Sequence, residues 1–89
     1  MKVHYLKCWP MYFDEIQMGR KTFEIRSTVD RIFQAGDQLL LGAFDPEQQM
    51  YVGPQQLVDV LAVYHGVRGM MADTCVMSIR LADPTAGDP

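Results

Sequence analysis

The sequence predicts an α+β, mainly β domain: a small, strongly bent sheet or barrel of five or six strands with one short N-terminal helix. Three observations point there. Most of the chain falls into short stretches of alternating or continuous apolar residues separated by Gly, Pro and Asp turn signals. Only one early stretch carries helical spacing. With 89 residues the chain is one domain, and a chain of this size removes only about 60 to 65% of its unfolded surface from water.

The first strand is "KVHYLKC", residues 2–8, with Val3 and Tyr5 on one side and His4, Leu6 and Cys8 on the other, a pattern that suits partial cover on both faces. Trp9-Pro10 ends it, and Pro10 fits the first position of a helix, where its missing N–H has no partner to lose. Trp9, Phe13 and Ile16 then recur at spacings of four and three, with Tyr12 beside them. Gly19 stops the helix, and Arg20 and Lys21 beyond it complement the negative end of its dipole.

The second strand is "KTFEIRS", residues 21–27. Its alternation is expected to anchor Phe23 and Ile25 in the core and to display Thr22, Glu24 and Arg26 on the other face. A polar link and a turn at Ala35-Gly36-Asp37 lead to a third strand, residues 38–44, and "DPEQQ" turns a hairpin whose return is residues 50–52. Gly53-Pro54 interrupts again. "QQLVDVLAVYHG" is apolar on both alternating faces and reads as a strand buried on both sides, with a helix as the alternative. A glycine-flanked loop precedes the last strand, "TCVMSIRL". Residues 1–82 form the domain, and "DPTAGDP" supplies a mobile tail, residues 83–89.

Composition narrows the function classes. No apolar run approaches the ~20 residues of a membrane span, and the N-terminus lacks the apolar core of a secretory signal, so a cytoplasmic protein without membrane association is expected. Cys8 and Cys75 have neither CxxC spacing nor histidines at metal-ligand intervals; they read as buried, reduced thiols, with no metal or other cofactor. The net charge is −3, yet the first 31 residues carry six basic and four acidic groups and the remainder two and seven. That distribution permits a small basic cleft on an acidic body and excludes a long polyanion track.

Taken alone, charges alternating along a half-exposed strand form a solvated face whose ion pairs contribute only ~0 to 1 kcal/mol each. The wider pattern is more specific. "GRKTFEIR" fits GxKxxExR through Gly19, Lys21, Glu24 and Arg26, and it resembles the signature of ASCH domains, a branch of the PUA-like folds. "HYLKCWPMYF", "DRIFQAGDQLLL" and "FDPEQQMYVG" around it are similar to a small bacterial and phage family of uncharacterised ASCH-like proteins. The likeness is close as far as Gly53, and only a strand pattern beyond it. The link Arg26-Ser-Thr-Val-Asp30-Arg31 departs from that family by one extra residue and a missing asparagine.

The resemblance implies a PUA-like β-barrel whose cleft, beside the helix and the second strand, holds RNA or a modified nucleoside. Lys21 and Arg26 would meet phosphate or base edges, and Glu24 would accept from an exocyclic amine or hold a cation in place. Lys7 and Arg31 are the further basic candidates, and Tyr12, with Trp9, is the candidate for stacking on a base. Aromatic residues at helical spacing are more commonly core, and His4 is as well read as a satisfied core histidine.

Another ASCH-like branch shares "GRKT" and "IR" and hydrolyses N4-acetylcytidine with a lysine, a threonine and a distant glutamate. Lys21 matches that lysine and would be the catalytic residue in this alternative. Glu24 stands where the threonine falls, and no helix late in the chain offers the glutamate, so a binding module is preferred to an amidohydrolase. A protein-interaction module is the third reading, since methionine is adaptable at partner surfaces and the chain holds seven.

Overall fold

A computed structural model describes residues 1–82. The tail expected over residues 83–89 lies outside the described residues. Five strands and one helix follow in the order β1 (Val3–Cys8), α1 (Pro10–Gln17), β2 (Phe23–Ser27), β3 (Gln38–Asp45), β4 (Met50–His65) and β5 (Thr74–Leu81). The sheet runs β1-β3-β4-β5-β2 and curls into a half-barrel, so the two strands nearest the N-terminus, β1 and β2, are its opposite edges. β1 pairs with β3 in parallel; the other neighbours are antiparallel.

The concave face is the core. Leu39, Leu41 and Ala43 of β3, Val58 and Val60 of β4, and Cys75, Met77 and Ile79 of β5 alternate into it, as period-two geometry requires. Phe13 and Ile16 cap it from α1, which packs over β3. The helix starts at Pro10, as its sequence predicts, and ends in a Schellman motif: Gly19, at φ +78°, donates to the Ile16 carbonyl and Arg20 to that of Glu15.

The turn before β3 is more than a turn. Asp37 is buried, and its carboxylate accepts from His4 Nε2 at 2.9 Å, from the Gln34 N–H at 3.0 Å and from the Lys2 N–H at 3.1 Å. Burial alone would push this carboxyl up, but the bond from His4 and the two backbone N–H groups outweigh it and hold Asp37 below its ordinary value. His4 is thus a satisfied core histidine, packed 4.6 Å from the Phe33 ring.

Four expectations are corrected. β1 is not covered on both faces: it is an edge strand, and Tyr5 is 71% exposed. Gly53-Pro54 does not break the chain into two strands, because β4 runs through it on a bulge in which Val52, Gly53 and Pro54 together oppose Ala43. β4 is not buried on both sides either. Leu61 is an extra residue between the Val60–Ile79 and Ala62–Ser78 pairs, turns outward, and hands the inner face to Val63.

The fourth concerns β2. Phe23 and Ile25 are 43% and 54% exposed, while Glu24 is 4% exposed. The strand faces the other way: Glu24 and Arg26 stand opposite the fully buried Met77 and Cys75 of β5, and the apolar pair lies on the convex face. The physical reason is local neutralisation, described next. Among the described residues no helix is long and apolar enough to cross a membrane.

Candidate functional site

Inward orientation of β2 puts a carboxylate where a core residue would otherwise stand, and a buried charge persists only when paired and hydrogen-bonded. Glu24 has both. Its Oε1 accepts from Lys21 Nζ at 2.6 Å and its Oε2 from Arg26 Nε at 2.9 Å, with Arg26 Nη2 2.8 Å away. Lys21 Nζ also donates to the Phe23 carbonyl at 2.7 Å, and Arg26 Nη2 to the Lys7 carbonyl at 2.9 Å. The last bond crosses from one edge of the half-barrel to the other, so Arg26 ties β2 to β1 where no strand pairing does.

Each side chain arrives by a local cause. Gly19 reverses the chain after α1, and Lys21, which follows the reversal, reaches over the start of β2. Glu24 and Arg26 are two apart on one strand and so share a face. Trp9 caps the N-terminus of α1 and Tyr12 follows within its first turn; their rings stack at 6.1 Å with 13° between planes. Both aromatics are substantially exposed, which corrects the core reading of their helical spacing.

Together these residues line a cleft of about 450 Å³ between the end of β1, the start of α1 and β2: Lys7, Trp9 and Tyr12 on one side, Lys21, Glu24 and Arg26 on the other. Lys21 sits 5.6 Å from the Tyr12 ring and 4.7 Å from that of Phe23, within cation–π range. Two cations and one carboxylate leave the cluster one positive charge. Three N–H donors are left over: one on Lys21 Nζ and both on Arg26 Nη1, which meet no acceptor among the described residues.

The remaining candidates divide. Lys7 borders the cleft and its carbonyl accepts from Arg26, while its ammonium lies 4.2 Å over the Phe44 ring. Arg31 is not brought to the cluster. It lines a separate recess with Lys2, His4 and Asp30, with its guanidinium 6.0 Å from Phe33. Thr22, beside Lys21 in sequence, does not line the cleft and borders another hollow beside Gly19 and Ile79.

Cys8 is the cleft residue that its sequence context does not single out. It is buried at the cleft wall, and its thiol is pushed up by burial and then by Glu24, with Arg26 and Lys21 offsetting part of the rise. Cys75, opposite Arg26, is also buried, and burial raises its thiol against a bond from the Arg26 backbone. The hint in the sequence is that Leu6 and Cys8 share a face with His4. Among the described residues no group of three or more His, Cys, Asp or Glu could hold a metal ion.

Residues 3–79 match the family described as "Domain of unknown function (DUF3850)". The chain belongs to that family. Its DUF3850 domain begins with β1, ends within β5, and includes every residue of the charged cluster and its aromatic rim. No curated protein matches the chain.

Proposed function

We propose that this DUF3850 domain is a ligand-binding module of ASCH, PUA-like type that takes RNA or a nucleotide-like molecule, including a modified nucleoside, in the cleft along β2. One observation carries the reading: three uncommitted donors of Lys21 and Arg26 lie beside an exposed, stacked Trp9–Tyr12 pair in one concavity. Donors of this kind suit phosphate or base oxygens, and an exposed aromatic face suits a base. Glu24 holds the two cations in register. The location we assign is cytoplasmic.

Binding is favoured over amide hydrolysis by the geometry around Lys21. Its Nζ donates to Glu24 and to a carbonyl, Glu24 is shared by two cations, and neither Thr22 nor a second acid borders the cleft. The test is an NMR titration of the full chain with short RNAs and modified nucleosides. Shift changes clustered at Lys21, Glu24, Arg26 and Trp9 are expected; changes confined to the convex face would favour a protein-interaction module instead. Release of acetate from N4-acetylcytidine by the wild type and not by Lys21→Ala would establish the hydrolase.

A further inference from the structure

We propose that the cleft receives one nucleoside monophosphate, with its phosphate on Lys21 and Arg26 and its base on the Trp9–Tyr12 pair, rather than a stretch of RNA. The inference rests on the reading above and narrows its ligand. Size comes first. A volume of about 450 Å³ lies toward the lower end of the ~300 to 1,000 Å³ of small-molecule sites. Single-stranded RNA instead needs a groove that continues along the backbone from one phosphate to the next.

Beyond Lys7, Lys21 and Arg26 the cleft lining holds no cation among the described residues. Arg20 is paired with Glu15 and Arg80 with Asp59, Lys7 is turned over Phe44, and Arg31 is at a separate recess beside Asp30. Polymer affinity comes largely from neutralising several phosphates, and here the donors serve one. Their number fits as well: one on Lys21 and two on Arg26 match the oxygens that a single phosphate monoester offers.

Charge sets the upper limit. The cluster carries one net positive charge on a chain of net charge −3. A monophosphate, at about −1.5 to −2 near neutral pH, already exceeds that charge, and the additional charges of a triphosphate would find no cation in the cleft lining beyond Lys7, whose ammonium is held over Phe44. Glu24 thereby acts as a positioning and specificity-determining residue: it orients both cations and removes one unit of charge from the site.

Trp9 is the sole tryptophan and lines the cleft, so its fluorescence reports on this site alone. The full chain would be titrated with the common nucleoside monophosphates, the matching nucleosides and triphosphates, and a short single-stranded RNA. At least one monophosphate is expected to perturb Trp9 with one-to-one stoichiometry, about tenfold more tightly than its nucleoside or triphosphate. The RNA should show no tighter binding per site. Tyr12→Ala, at an exposed position, should weaken the monophosphate about tenfold with an unchanged melting temperature. Lys21→Gln should abolish the advantage over the nucleoside.

Three outcomes would overturn the proposal in distinguishable ways. A nucleoside that binds as well as its monophosphate removes the phosphate assignment. RNA bound tenfold more tightly, with a steep salt dependence, makes the ligand a polymer and leaves the cleft reading intact. No response of Trp9 to any of these ligands removes the cleft reading along with the proposal.

Discussion

Glu24→Gln separates a buried cluster from a surface decoration. The amide keeps the side chain's size and one acceptor, but turns a donor toward one of two cations and removes the counter-charge of both. The Glu24 side chain is 5% exposed, against 16% for Lys21 and 24% for Arg26. Breaking a buried ion pair costs about 3 to 5 kcal/mol, and the residual exposure of the cations places this case near about 3 kcal/mol. With a urea slope of about 1 kcal/mol per molar for a small domain, the midpoint should fall by about 3 M. High salt should not erase the difference, because buried pairs are poorly screened. A fall below about 0.5 M, or one that disappears in salt, would mean that Glu24 faces water and that the inward orientation of β2 is wrong.

Other substitutions test other parts of the account. Phe13→Ala should cost about 3 to 5 kcal/mol in urea unfolding as a core truncation, whereas Phe23→Ala, on the convex face, should cost about 1 kcal/mol. Gly19→Ala should lose about 1 kcal/mol through its positive φ alone, since nothing lies within 4 Å of the added Cβ. Asp37 has a folded pKa below its unfolded one, so its contribution to stability is complete above about pH 4 and is lost as the pH falls through the folded value. Urea midpoints measured from neutral to acid pH should show that loss in the wild type and a smaller one in Asp37→Asn. The raised thiols of Cys8 and Cys75 should react with a thiol reagent at neutral pH only after denaturant is added.

Much of the fold is legible residue by residue. Pro10 and Gly19 bracket α1, Gly36-Asp37 opens β3, and the apolar runs of β3 and β5 end close to where their strands do. These are local signals, and local geometry decides them. The facing of β2 is of another kind. Alternation shows that Glu24 and Arg26 share a side opposite Phe23 and Ile25, but which side is inner depends on Lys21 and the Lys7 carbonyl, contacts the fold must assemble.

The rule that apolar side chains face inward therefore fails where three charges satisfy one another, and local rules tend to fail at functional sites. Bulges are hidden for a related reason: the extra residue at Leu61 leaves the run apolar while exchanging its faces. The cleft was partly visible. Lys21, Glu24, Arg26 and Tyr12 do meet there, yet Arg31, only five residues beyond Arg26, is carried to another recess by the link after β2.

Hydrogen exchange of the arginine Nε–H groups, followed by nitrogen-15 NMR, bears on the whole scheme. Arg26 Nε donates to a buried carboxylate inside the seam between the sheet edges, whereas Arg20 and Arg80 donate at the surface. The Arg26 signal should exchange with water much more slowly than those two, and should slow further when a nucleoside monophosphate is added. Exchange as rapid as that of Arg20, with or without the nucleotide, would show the charged row of β2 lying open to solvent and would contradict both the fold of this edge and the site built on it.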